Sequence, residues 1–142
     1  MTISINPYLN FAGNSREAMT YYHEIFGGQL DIMTFADFGI TDMPADGTMH
    51  ARLSAPGFTL MASDAMPGAE ETWGGTRVYC AFIGDDVEVM KGWYERLAAD
   101  GTPGQPLTRQ VWGDMYGDVK DKFGIEWMFN IALPDGWAEG GR

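Results

Sequence analysis

With 142 residues, 45% of them apolar and 20% charged, the chain has the size and composition of one globular domain that buries its own core. A formal net charge of -11, with only 9 scattered Lys and Arg, excludes the clustered cationic surface that nucleic acid binding requires. No apolar run nears the roughly 20 residues that span a bilayer, and the opening residues lack the basic flank and apolar core of a secretory signal. The expected home is therefore cytoplasmic, with no membrane and no nucleic acid among its partners.

Residues 3–11 alternate apolar and polar, the period-two pattern of a half-buried strand. Asn14-Ser15 then offers a helix N-cap. Ala18, Met19, Tyr22, Ile25 and Phe26 recur at helical spacing, and Gly27-Gly28 ends the helix. A strand is expected over 29–38. A polar loop over 42–48 leads to strands at 49–55 and 58–63, joined by Pro56-Gly57, a type II turn pair. The segment 34–48, with Phe35, Phe38, Ile40 and Met43, is too apolar for idle exposure and reads as a lid or a dimer contact.

The same order returns about 70 residues later. A strand is expected over 78–83. Asp85-Asp86 then caps a helix whose apolar stripe is Val89, Met90, Trp93 and Leu97, and Asp100-Gly101 ends it. Strands follow over 105–112, 115–120 and 125–133, the last two flanking a Lys122-Phe123-Gly124 turn. The expected fold class is α+β: two β-α-β-β-β modules forming a curved mixed sheet or incomplete barrel around a pocket. This makes one domain over 1–142, with modules at about 1–64 and 77–133, a linker over 65–76 and a frayed tail over 134–142.

Neighbouring strand residues point to opposite faces, so the alternation sorts by face. Ile3, Ile5, Leu9 and Phe11 fall on one side of the first strand, and Asn6, Tyr8 and Asn10 on the other. Met49, Ala51 and Leu53 share the apolar side with Leu60 and Ala62. His50, Arg52, Thr59, Met61 and Ser63 lie opposite. In the last strand Trp127, Phe129 and Ile131 oppose Glu126, Met128 and Asn130. The apolar sides should cover the helices. The other sides mix polar groups with Met and Tyr, which suits a small-molecule pocket with a few polar anchors.

Candidate chemistry is sparse. Cys80, the single cysteine, reads as a small buried hydrophobe with no disulfide partner and no base nearby in sequence. His50 with Ser63 or Asp64 supplies at most two metal ligands, short of the three or four a catalytic ion needs. His23, on a helix, is assigned no role. There is no Gly-x-Ser-x-Gly elbow, dinucleotide fingerprint or phosphate loop, so no cofactor is implied.

The duplicated order resembles the vicinal oxygen chelate (VOC) superfamily of glyoxalase I, extradiol dioxygenases and bleomycin and fosfomycin resistance proteins. Pro7-Tyr8-Leu9, Met49-His50-Ala51, Leu60 to Asp64 (LMASD), and Trp112-Gly113 with Tyr116-Gly117 ahead of Asp121-Lys122-Phe123-Gly124 look most like its PhnB-like branch. The likeness runs from about Ile5 to Ile131. It implies a glyoxalase-like fold, a homodimer, and a divalent ion held at four strand positions by His, Glu or Gln. Carried over, those positions fall near Asn6, Met61 and Tyr79 and on Met128. Two thioethers and a phenol do not make that site, so the expectation is a member with no metal.

The expected function is binding or sequestration of a small-molecule ligand in an aromatic-lined pocket. Its residues are Asn6, Tyr8, His50, Arg52, Met61, Ser63, Tyr79, Trp112, Tyr116 and Met128. His50 and Arg52 are the polar anchors. The alternatives are a metal-independent lyase or isomerase with His50 as general base and Tyr116 or Tyr79 as acid, and a degenerate glyoxalase-type metalloenzyme.

Overall fold

The computed structural model describes residues 4–73 and 78–134. They belong to two compact units, residues 1–74 and 75–142. Each unit is a mixed sheet carrying one long helix, and the fold is α+β. Residue 74–77 of the expected linker and 135–142 of the expected tail lie outside the described residues.

The first unit runs β1 (Tyr8–Phe11), α1 (Ser15–Phe26), β2 (Gln29–Thr34), β3 (Thr48–Ala55) and β4 (Phe58–Asp64). The sheet order is β1-β4-β3-β2, with β1 parallel to β4 and the other pairs antiparallel. Helix α1 buries Ala18, Met19, Tyr22, Ile25 and Phe26, the expected stripe, against Leu9, Phe11, Ala51, Leu53, Leu60 and Ala62 of the sheet. Tyr22 and Phe26 stack 6.1 Å apart, and Phe26 meets Phe58 edge-on at 5.6 Å.

Three expectations for this unit are corrected. Strand β1 begins only at Tyr8, since Pro7 supplies no ladder donor, and Ile5 is almost wholly exposed instead of core-facing. The β2–β3 register slips between Met33 and Thr34, so Thr48 is buried and Met49 is the extra residue of a bulge. Past Thr34 the expected strand gives way to a 3-10 turn, Ala36–Phe38. Thr34 and Asp37 lock that turn reciprocally: Thr34 N–H donates to Asp37 Oδ2 at 2.8 Å, and Asp37 N–H donates to Thr34 Oγ1 at 3.1 Å.

The N-terminus of α1 has its own surprise. Asn14 occupies the cap position yet its side chain makes no capping bond. Asp64, at the far end of β4, does the work: Oδ1 accepts from Ser15 N–H at 2.9 Å and Oδ2 from Thr48 N–H at 2.9 Å. A carboxylate at a helix N-terminus is favoured by the orphan amides and by the dipole. His23 gains a role at the other end, where its ring Nε2–H donates to the Gly28 carbonyl at 3.0 Å.

The second unit runs β5 (Cys80–Gly84), α2 (Val87–Asp100), β6 (Thr102–Pro103), β7 (Thr108–Arg109), β8 (Met115–Lys120) and β9 (Glu126–Ile131). Its order, β5-β9-β8-β6 with β7 also on β8, repeats the first unit's pattern: the first strand is parallel to the last. The Asp86 side chain accepts from Val89 N–H at 3.2 Å, as its position in the sequence suggested. Met90, Tyr94 and Leu97 form the buried face of α2, while Val89 is exposed, so Tyr94 takes the place expected of Val89.

Trp127, Phe129 and Ile131 are buried in β9, and Phe82 stacks on Trp127 with centroids 5.6 Å apart and planes 6° off parallel. Of the strand expected over 105–112 only the two residues of β7, Thr108–Arg109, pair with β8, and Pro106 keeps the stretch before them off the ladder. Gly117 permits this: a Cβ there would sit 2.8 Å from Leu107 Cα.

Candidate functional site

In both units the sheet face away from the helix carries the expected site residues. In the first unit, Met61 sits in register between Tyr8 of β1 and Arg52 of β3, and Arg52 faces Asp31 of β2. One row thus reads Tyr8, Met61, Arg52, Asp31. The next row pairs Ser63 with Asn10 and His50 with Met33. Tyr8 and His50 are joined: the phenol oxygen lies 3.1 Å from His50 Nδ1, and the rings are 5.7 Å apart. Asn6 stands apart from them. Its amide donates to Ser4 Oγ at 3.1 Å, and it lines a cleft of about 470 Å³ with Gly57, Phe58 and Thr59 at the β3–β4 turn.

In the second unit, Met128 lies between Ala81 of β5 and Asp118 of β8, and Asn130 lies opposite Tyr116. The Tyr116 hydroxyl donates to Asp118 Oδ2 at 2.9 Å. Trp112 meets Tyr116 edge-on, with centroids 6.2 Å apart and planes at 68°. The Trp112 indole N–H donates to Asn130 Oδ1 at 3.2 Å. Asn130 Nδ2 in turn donates to Asp114 Oδ2 at 3.0 Å. Residue by residue, Tyr8, His50, Arg52, Met61 and Ser63 share one face, and Tyr79, Trp112, Tyr116 and Met128 belong to the other unit.

The electrostatics bear on which of these groups can do chemistry. Desolvation, the hydrogen bond to Asp118 and that carboxylate's charge push the Tyr116 phenol up to about 12. Tyr79 is raised by partial desolvation and then by the charges of Asp118 and Glu126, with Glu126 also accepting its hydroxyl. Both phenols hold their protons against acidic neighbours, which makes either a poor general acid near neutral pH.

The raised Tyr116 phenol links its ionisation to folding stability. The folded state keeps the proton between pH 10 and about 12 while the unfolded chain releases it, so this contribution to stability is complete below pH 10 and lost across that window. In an alkaline difference titration, the tyrosinate absorbance missing from Tyr116→Phe should develop near pH 12 and not near pH 10. Cys80 is half-buried and free; burial, and then the charge of Asp121, raise its thiol and keep it a thiol.

The donor set expected at the metal positions does not fit a divalent ion. The Asn6 amide is turned to Ser4, Met61 and Met128 offer thioethers, and Tyr79 is held protonated by desolvation and then by its carboxylate neighbours. Both Asp64 oxygens already accept backbone N–H groups, so its carboxylate is engaged in holding α1 and β3. Among the described residues, no three His, Cys, Asp or Glu side chains cluster so as to hold an ion.

Sequence reasoning assigned no role to Asp114, Asp118 or Asp121, and took Asp64 only as a candidate metal ligand beside His50. For Asp121 a signal existed, since Asp ahead of a Lys-Phe-Gly turn favours side-chain bonds to the following amides. Asp64 and Asp114 have partners far along the chain, and Asp118 takes the hydroxyl of Tyr116 two residues before it while also reaching back to Gln105 N–H.

Residues 4–129 match the model of the Glyoxalase/Bleomycin resistance protein/Dioxygenase superfamily. Protein YjdN of Escherichia coli strain K12 is 30% identical over 142 residues, an alignment covering 90% of this chain and 95% of that protein. Among solved structures, protein PA1353 from Pseudomonas aeruginosa is 34% identical with a TM-score of 0.75, over 92% of this chain and 98% of that one. A PhnB protein from Bacillus cereus, 21% identical, shares the fold with a TM-score of 0.75 over 92% of this chain and 100% of its own. No helix among the described residues is long and apolar enough to cross a membrane. By its sequence over nearly the whole length and by the fold of each unit, this chain belongs to the Glyoxalase/Bleomycin resistance protein/Dioxygenase superfamily.

Proposed function

We propose that this chain is a small-molecule-binding member of its superfamily that works without the divalent ion, as a cytoplasmic homodimer. The observation that carries the reading is the donor set: Asn6, Met61, Tyr79 and Met128 stand where the superfamily resemblance places ligands, and none is a good one. What remains on the two open faces is binding chemistry. Tyr8, Trp112 and Tyr116 supply aromatic surface, Met61 and Met128 polarisable area, and Arg52 and His50 polar anchors.

A second reading, metal-independent proton transfer by His50, draws on the Tyr8 contact. The phenol fixes Nδ1, and Nε2 makes no bond among the described residues. The raised phenols of Tyr79 and Tyr116 weaken it by removing the acid partner.

A thermal-shift screen of metabolites and drugs tests the binding reading through ligand-induced stabilisation. A ligand present at 100 times its Kd should stabilise by about 2.7 kcal/mol, which is several degrees for a domain of this size. For such a ligand, His50→Ala should weaken affinity by about tenfold or less. Turnover by the wild type that His50→Ala abolishes would replace the binder by the enzyme.

A further inference from the structure

We propose that Trp112 and Tyr116 form a site for a planar aromatic ring on the open face of the second unit, and that Asp114 is the positioning residue that holds its shape. The assignment rests on the small-molecule reading above and narrows it to a ligand class.

The geometry starts at Asp114, which is wholly buried although polar. A buried carboxylate is costly unless its oxygens are hydrogen-bonded. Here Oδ2 accepts from Asn130 Nδ2 at 3.0 Å and Oδ1 from Leu133 N–H at 3.4 Å. A carboxylate only accepts and an indole N–H only donates, so the Asn130 amide between them has one possible orientation: NH2 toward Asp114, oxygen toward Trp112. The indole is thereby tethered to the interior by two side-chain links while 40% of its surface stays exposed.

The turn beneath it is also closed. Gln110 N–H donates to the Asp114 carbonyl at 2.8 Å, and Gly113, at φ 94°, donates to the Gln110 carbonyl at 2.9 Å. Tyr116 is held in the same manner, its hydroxyl on Asp118, whose other oxygen accepts from Gln105 N–H at 2.8 Å.

Two rings at 68° make a corner: one offers a face, the other an edge. Aromatic groups favour offset-stacked and edge-to-face partners, so a flat third ring can satisfy both at once. Met128, beside Asp118 in register, lies on the same face and adds a polarisable thioether. Because both rings are already fixed, ring binding forfeits little side-chain freedom. A core-packing role does not account for an indole so exposed yet anchored to a buried acid.

The test uses acridone, a neutral planar ring, titrated into the full chain labelled with 5-fluorotryptophan and followed by acridone fluorescence and 19F NMR. Acridone is expected to bind and to move the Trp112 resonance, assigned by Trp112→Phe. Trp112→Ala should weaken binding about tenfold. Asp114→Asn and Asn130→Ala should each shift the Trp112 resonance and weaken acridone roughly threefold to tenfold while the resonance of core Trp127 stays put. A merely structural role for Asp114 would move both resonances.

The assignment is overturned if acridone binds equally well to Trp112→Ala. It is equally overturned if Asp114→Asn and Asn130→Ala leave the Trp112 resonance in place. Failure of acridone to bind, with stabilisation by another class of ligand in the screen, overturns the planar-ring site and leaves the binding reading standing. Failure of both ends the two together.

Discussion

Replacing Asp121 by Ala should cost about 4 kcal/mol of folding stability, a large part of what a domain of this size possesses. The carboxylate is 3% exposed and accepts at least three hydrogen bonds. Oδ1 takes Phe123 N–H at 2.8 Å and Ile125 N–H at 3.0 Å, and Oδ2 takes the buried Trp127 indole N–H at 2.8 Å. Removing it strands three donors, two in the β8–β9 turn and one in the core, each losing a charge-assisted partner. Gly124, at φ 92°, then closes the turn on backbone bonds alone, Gly124 N–H to the Asp121 carbonyl and Asp121 N–H to the Ile125 carbonyl. Urea unfolding of the variant should show a lowered midpoint with an unchanged slope. Asp121→Asn should fall between, since one oxygen still accepts while its NH2 opposes a donor.

Asp64→Ala is expected to cost about 2–3 kcal/mol by a different route. Its two oxygens bind the first amide of α1 and the first of β3, so one side chain ties helix, bulged strand and β4 together. Asn14→Ala, at the nominal cap, should cost less than about 0.5 kcal/mol, because that side chain makes no capping bond. Paired thermal melts measure the contrast. Equal losses from the two substitutions would return the cap to Asn14.

These two carboxylates mark the boundary of what the sequence discloses. The helices and the two long hairpins were legible because their signals are local: α1 buries the five residues of its stripe, and Trp127, Phe129 and Ile131 face the core of β9 as alternation requires. The Met49 bulge was hidden, since register depends on what β2 offers across the sheet. The region 105–112 was misread as one strand because its strand-like pattern outweighed Pro106, and only Thr108–Arg109 pairs there.

The candidate site was legible only to the level of faces. His50, Arg52 and Met61 were placed on one side by parity alone, but the Tyr8–His50 contact joins residues 42 positions apart. The duplication sharpens this. Met61 and Met128 hold matching positions in their sheets, yet Met61 neighbours Arg52 and Met128 neighbours Asp118. The repeated unit therefore presents opposite charges beside the same central thioether. That difference lies in residue identity at one register position, which no pattern of hydrophobicity records.

Ligand binding in this member of the superfamily is expected to need no divalent ion. The most direct test is the affinity of the best ligand from the screen, measured by calorimetry on chelator-treated protein alone and then with zinc, nickel or manganese added. The expected result is the same Kd in all four titrations and no stoichiometric metal binding by the protein itself. Binding that appears only when one of these ions is supplied would contradict it.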